Sequence, residues 1–466
     1  MSDEKFEGLK SAAQKRLSRR DFLRGATLAT LAVGAQSLLA ACGTPSPEME
    51  EEPEEGPGAG AVKEEEVPLR FITNHGESNI PLFEEVIANF HDANPNIKIE
   101  HLDVVGEEFY DTINTQGVAG DLPDVWYTRT FDVPVYASKA WTTNLQPFID
   151  ADSDEVDVSD FWEAEVAQME WQGDLYALPY DFSNVGIYYN KNMFDDEGIE
   201  YPPEEWTFPD LVDLATQFVQ RDSDGNVERW GLTVYFWQWV FHGLLYGWGG
   251  DVLTDDFSEC VVNSPENQAC LEFFADAREQ GVYPEAGAMP EGVDPFTAGL
   301  VPMQYQGSWA TVAMRSRVED AFEFDCVALP LSPDGNATIG AAGGAWGIAA
   351  NSEYPEEAWT FNKFLTNTES TIILISDPLR SIPGRKSAVP AWEAAAAEGD
   401  LPPDNVEAFA EQMSLAYDEP FPPYWQDMDQ AWSNIVMPFF NGVTDQSAEE
   451  VLQQYQDEVN RIIEMG

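Results

Sequence analysis

Residues 173–191, GDLYALPYDFSNVGIYYNK, constrain the architecture more than any other stretch of the chain. Gly173 and Asp174 make a turn, residues 175–178 read as a short apolar strand, and Pro179 interrupts it. Residues 185–189 are a strongly β-prone run, closed by the polar pair Asn190-Lys191. Two strands joined by an ordered polar-aromatic link, rather than by a loose loop, are what a hinge between two lobes requires. At 466 residues, 44% of them hydrophobic, the chain has material for two packed cores.

Charge narrows the function classes. Asp and Glu outnumber Lys and Arg by 84 to 23, a net charge of −61, so bulk charge drives binding neither to nucleic acid nor to an anionic membrane surface. The acids are spread along the chain and accompanied by 15 Trp and 27 Phe, which a disordered acidic protein lacks. This combination reads as a folded protein adapted to high salt, where self-repulsion is screened.

The N-terminus carries an export address. Ser18-Arg19-Arg20-Asp21-Phe22-Leu23-Arg24 matches the twin-arginine pattern, and the apolar run 26–41 behind it is short of the ~20 residues a spanning helix needs. It ends Leu38-Leu39-Ala40-Ala41-Cys42-Gly43, which looks like the lipobox of bacterial and archaeal lipoproteins. That likeness implies a signal peptide over 1–41 and a lipid on Cys42; the alternative is a chance thiol. Residues 42–67, rich in Pro, Glu and Gly, form a flexible, self-repelling acidic tether.

Beyond the tether, 69–72 reads as a strand, and Leu82, Phe83, Val86, Ile87 and Phe90 give a helix face that Pro95 ends before a strand at 97–99. This is a βαβ unit whose strand end, at Glu77 and Ser78, either faces a ligand or caps the helix. Arg129 and Asp132, after an aromatic strand, either clamp hydroxyls or pair with each other. Residues 222–226 suggest a calcium loop but fail its spacing, with Val227 sixth and Thr233 twelfth, so a turn is expected. Residues 233–250 are the most aromatic stretch, core for the most part. Cys260 and Cys270 can pair if their Cα atoms fall within ~7 Å, while Cys326 reads as a buried free thiol. The four His, at 75, 91, 101 and 242, make no ligand cluster, and neither a metal site nor a cofactor is expected.

Five ordered signatures resemble the extracellular solute-binding proteins of the maltose-binding type. They are G-x-x-P-D-V from Gly120, G-x-x-Y-x-x-P from Gly173 with Y-Y-N-K behind it, and F-x-x-G-x-x-P-M leading to G-S-W at Gly307-Ser308-Trp309. S-x-x-P-E from Ser352 and P-x-R at Pro383 to Arg385 complete the set. The resemblance implies an α/β, two-lobed periplasmic-binding-protein-like type II fold with a hinge between the lobes, 68–180 plus 335–383 and 181–334 plus 384–466. It places Tyr127, Arg129 and Asp132 on the cleft, and Trp237 or Trp239 against a sugar face. Trp309 is the expected stacking platform, with Tyr180, Asp181 and Asn184 supplying polar contacts. Gly344, with Gly343, allows close backbone approach, Trp346 closes over the site, and Arg385, Tyr424 and Trp425 complete the candidates.

The implied function is a monomeric, lipid-anchored receptor on the outer face of the cell membrane. It captures a sugar and delivers it to an ABC importer, without catalysis. The competing readings are a receptor for a polyol, glycerol phosphate ester or polyamine, and a secreted carbohydrate-active enzyme.

Overall fold

A computed structural model describes residues 66–465, apart from 286, 290, 291, 399–401 and 418–420. The expected signal peptide, Cys42 and nearly all of the tether lie outside the described residues. The tether ends one residue earlier than expected, because Val67 already pairs with Ile97.

Two sheets carry the fold. The first has six strands in the order Ile382–Pro383, Ala177–Ser183, Ala342–Ile348, Val125–Arg129, Val67–Thr73, Ile97–Asp103. Val67–Thr73 is parallel to both its neighbours, whereas Ala342–Ile348 is antiparallel to both of its own. Helix Ile80–Ala93 makes the parallel crossover, buries Phe83, Val86, Ile87 and Phe90 at the expected spacing, and stops ahead of Pro95.

The second sheet runs Thr233–Val234, Met303–Gly307, Val185–Asn190, Phe324–Ala328. Its core joins Ile187 to Phe208, Phe241, Phe274, Trp432 and Tyr455 from the surrounding helices. Thr207 and Asp210 form a reciprocal capping box at the start of helix Phe208–Thr216. At 222–226 the Asp222 carboxylate accepts from the Asp224 and Asn226 amides at 2.9 Å, so its own turn uses it.

Pro179 does not interrupt a strand. Strand Ala177–Ser183 runs through it, and the register against Ala342–Ile348 jumps from Ala345 opposite Pro179 to Gly344 opposite Asp181. Tyr180 is therefore the extra residue of a bulge, where proline's missing N–H is tolerated. This moves the first lobe boundary from 180 to 183, with Asn184 as the connection.

The other two crossings shift for similar reasons. Ile339 belongs to the second core and Gly340 bridges to Tyr417, so the chain re-enters the first sheet at Ala342 rather than at 335. Arg385 and Ser387 still bond to Asp160 in the first lobe, whereas Trp392 packs with Tyr188 and Phe324 of the second. By these contacts the described residues of 67–183 and 342–388 group with the first sheet, and those of 185–341 and 389–465 with the second.

Cys260 and Cys270, which the sequence leaves able to pair, are both free thiols, as is Cys326. Cys270 lies on the inner face of helix Pro265–Glu279 and Cys260 in an extended bridge opposite Leu253. Each is buried in the same apolar core, and burial pushes the Cys260 thiol up to about 12.

Candidate ligand-binding site

The edge of the first sheet is shaped by Asp103. Its carboxylate accepts from the His75 and Gly76 amides at 2.9 Å and from the Thr73 hydroxyl at 2.6 Å, turning the chain after Val67–Thr73. Gly76 takes φ 79°, open to glycine at little cost. Glu77 is exposed and Ser78 half-buried. The residues at the N-caps here are Gly76 and Asn79, neither with a side-chain cap, so Glu77 and Ser78 do not serve as caps.

Next along the sheet, Arg129 lies between two rings. Its guanidinium carbon is 3.9 Å from the Tyr110 ring centroid and 4.5 Å from that of Phe131, and Nε donates to Asp132 at 2.6 Å. Asp132 is fully buried and accepts a second bond, at 3.0 Å, from Gln426 in the other lobe; Gln426 also donates to the Tyr136 hydroxyl. Burial lowers the Arg129 pKa, but Asp132 and Tyr110 more than offset this and hold it well above the ordinary value. The pairing reading of Arg129 and Asp132 is thus the arrangement present.

From the second lobe an arc of rings meets this group. Tyr235 and Trp237 stack at 5.0 Å and 9°, and Trp309 lies 5.6 Å from both Trp237 and Trp239. Trp239 then reaches Phe131 at 6.2 Å, with Trp425 and Phe421 packed behind at 5.7 and 5.3 Å. Trp309 belongs to the turn Ser308–Ala310 that opens helix Thr311–Val318. Its indole covers Gly307, where a Cβ would come within 2.0 Å of the ring. Trp237 is 36% exposed, and Trp239 and Trp309 are half-buried. Phe131, Phe421 and Trp425 form one buried apolar cluster against which Trp239 packs, while Trp237 at the other end of the arc is exposed.

Other candidates form a buried floor. The Asp181 carboxylate accepts from the Arg380 guanidinium, from the Ser381 and Ser183 hydroxyls, and from the Gly344 amide at 2.8 Å. It is 2% exposed and saturated by these donors, which corrects the expectation that it contacts solute. Trp346 is fully buried, with Tyr180 at 4.8 Å and Phe71 at 5.3 Å. It is a core residue rather than a flap over the site. Gly344 is needed for close approach: a Cβ there would sit 2.6 Å from the Tyr127 ring. Tyr127 itself is half-buried, and its hydroxyl pKa is raised by burial.

Three candidates are committed elsewhere. The Asn184 amide bonds Phe409 and Gln412 at the hinge. Arg385 donates to Thr366, Asp160 and Val156 and stacks on Phe161. The Tyr424 hydroxyl donates to the Phe257 carbonyl at 2.6 Å. Conversely, Tyr110, Phe131, Tyr235, Gln426 and Arg380 were not anticipated. Gln426 carried a signal as the residue after Trp425, and Tyr235 as a member of the aromatic stretch 233–250. A separate surface cavity of about 830 Å³ runs along helix Ala448–Met465, with Glu449, Glu450, Asp457 and Glu458 on its wall and no aromatic ring.

The fold has known counterparts. The sequence profile described as bacterial extracellular solute-binding protein matches residues 85–403. The erythritol/L-threitol-binding protein of Mycolicibacterium smegmatis is 24% identical over 421 residues, covering 83% of this chain and 84% of that one. An ABC substrate-binding protein from Listeria monocytogenes in complex with cycloalternan superposes with a TM-score of 0.76 and 23% identity, over 85% of this chain and 99% of that one. UgpB from Mycobacterium tuberculosis in complex with glycerophosphocholine gives a TM-score of 0.72 and 20% identity, over 85% of this chain and 98% of that one.

Proposed function

The chain belongs to the bacterial extracellular solute-binding proteins, and within that family we propose that it captures an uncharged carbohydrate between its lobes for an ABC importer. The observation that carries this is the ring arc Tyr235, Trp237, Trp309, Trp239 and Phe131, which spans both lobes. The apolar face of the exposed Trp237 and the half-buried Trp309 suits the C–H face of a pyranose ring.

A glycerol phosphate ester is the second reading, favoured by the likeness to a receptor that holds glycerophosphocholine. Paired cations argue against it: Arg129 is bound by Asp132 and Arg380 by Asp181, so neither guanidinium offers a phosphate an uncompensated charge. A small polyol remains within the proposal, in line with the erythritol/L-threitol-binding relative. Members of this family bind solutes, and the chain is read here as a receptor without catalysis. A thermal-shift panel of saccharides, polyols, amines and phosphate esters tests this. The melting temperature is expected to rise with a neutral saccharide or polyol, and a rise only with phosphate esters would overturn the reading.

The family is extracytoplasmic, and among the described residues no helix is long and apolar enough to cross a membrane. Attachment is proposed through a lipid on Cys42 after twin-arginine export. Cys42→Ser is expected to release the protein into the medium or leave it unprocessed; mass spectrometry finding an unmodified Cys42 on membrane-bound protein would contradict it.

The acid excess is proposed as an adaptation to salt. Diluting from molar salt to ~0.1 M lengthens screening from about 3 to 10 Å, and the melting temperature is expected to drop. An unchanged melting temperature would remove the salt adaptation from the account.

A further inference from the structure

Glu165 is fully buried, and neither of its carboxyl oxygens has a hydrogen-bond partner among the described residues. It lies on the short helix Glu163–Gln168, which meets the second crossing between the lobes and, through Trp162, the strand that leads to the third. At one end, Trp162 donates its indole N–H to the Pro383 carbonyl at 2.8 Å, just before the third crossing. At the other, Gln168 donates to the Ala341 carbonyl at 3.0 Å and accepts from Thr130, whose hydroxyl accepts the Gly343 amide at 3.1 Å. Ala341 to Gly343 is where the second crossing enters the first sheet. Glu165 presses on the same point: a Cβ on Gly343 would fall 2.7 Å from Glu165 Oε1 and 2.0 Å from the Asp181 carbonyl oxygen.

An ionised carboxylate without a partner is too costly to bury, so in this arrangement the group must be neutral. Ionisation requires water to reach it, and water can reach it only if the helix moves off the crossing strand. We propose that Glu165 is a proton-linked catch on the hinge. The lobe arrangement seen here holds while its carboxyl keeps a proton, and losing that proton frees helix Glu163–Gln168 and lets the lobes separate.

The surroundings favour the protonated form. Burial, then the Asp181 carboxylate, hold the Glu165 pKa well above the ordinary carboxylate range. Asp181 is the charged group on Ala177–Ser183 and is itself bound by Arg380; Tyr180 beside it is uncharged. Asp132, on the 130–132 turn, is held by Arg129 and Gln426, strand Ala342–Ile348 carries no titratable side chain, and Glu163 on the same helix is exposed. A carboxyl with a raised folded-state pKa contributes most below the ordinary carboxylate pKa, and its contribution falls as pH rises toward the folded value.

The catch does not depend on which solute is bound, so it is tested without one. Spin labels at the exposed positions Glu85 and Glu272, one per lobe, report the lobe separation in molar salt. Between pH 6 and 9 the wild-type distance distribution is expected to shift to longer values, while Glu165→Gln keeps the short distance throughout. The melting temperature of Glu165→Gln should exceed that of wild type by a margin that widens over the same range. Infrared spectra at pH 7 should show a protonated-carboxyl band in wild type that Glu165→Gln lacks. A wild-type distance unmoved by pH, a Glu165→Gln distance that moves with it, or no such band would each overturn the proposal. If Glu165→Gln fails to fold, the wild-type pH series and its carboxyl band still decide it.

Discussion

Arg380→Ala is expected to destabilise the protein by about 3–5 kcal/mol, the cost of stranding one member of a buried ion pair. Arg380 is 6% exposed and Asp181 2%, and removing the guanidinium leaves the carboxylate with only two hydroxyls and one amide. The loss reaches further because Arg380 also lies over the Tyr180 ring at 5.2 Å, beside the bulge that fits Ala177–Ser183 to Ala342–Ile348. Denaturant melts read the change directly. The double variant Arg380→Met with Asp181→Leu should recover much of it, since a buried pair replaced by apolar groups is often neutral. A near-neutral Arg380→Ala would mean that water reaches Asp181 and that this floor is not sealed.

Trp309→Ala is expected to weaken solute binding by about 2–4 kcal/mol, the range of aromatic hot spots. The indole is half-buried between Trp237 and Trp239 and seated on Gly307, so its removal opens the middle of the arc. Stability should fall by less than affinity, because a fully buried Trp truncated to Ala costs about 3–5 kcal/mol and this one is not fully buried. Both quantities are measured on one variant, affinity by calorimetry and stability by thermal melting. Full affinity with a collapsed melting temperature would make Trp309 a packing residue and empty the proposed site.

Local pattern announced much of the fold. The 3.6-residue spacing of Phe83, Val86, Ile87 and Phe90 gave the crossover helix, and Thr207 three residues before Asp210 is the local pattern of the capping box that opens helix Phe208–Thr216. The two β-prone runs at the hinge were legible, but the first of them continues to Ser183. Pro179 reads as a break, and only the pairing with Ala342–Ile348 reveals a bulge that accommodates it. Trp346 and Trp309 differ for the same kind of reason. Both follow glycine-containing strand signals, yet one is enclosed by Tyr180, Phe71 and Phe83 and the other sits at a strand end facing the opposite lobe. Side-chain type was the same in each; enclosure by distant strands decided. Tyr110 and Phe131 carried no signal at all, since what singles them out is a guanidinium held between them.

Equilibrium dialysis of the protein in molar salt against labelled neutral saccharides and polyols tests the central claim most directly. Capture between the lobes predicts one saturable site per chain for at least one of them, solute recovered chemically intact, and retention weakened in Trp309→Ala. No saturable retention of any neutral solute, or recovery of a cleaved product, would contradict it.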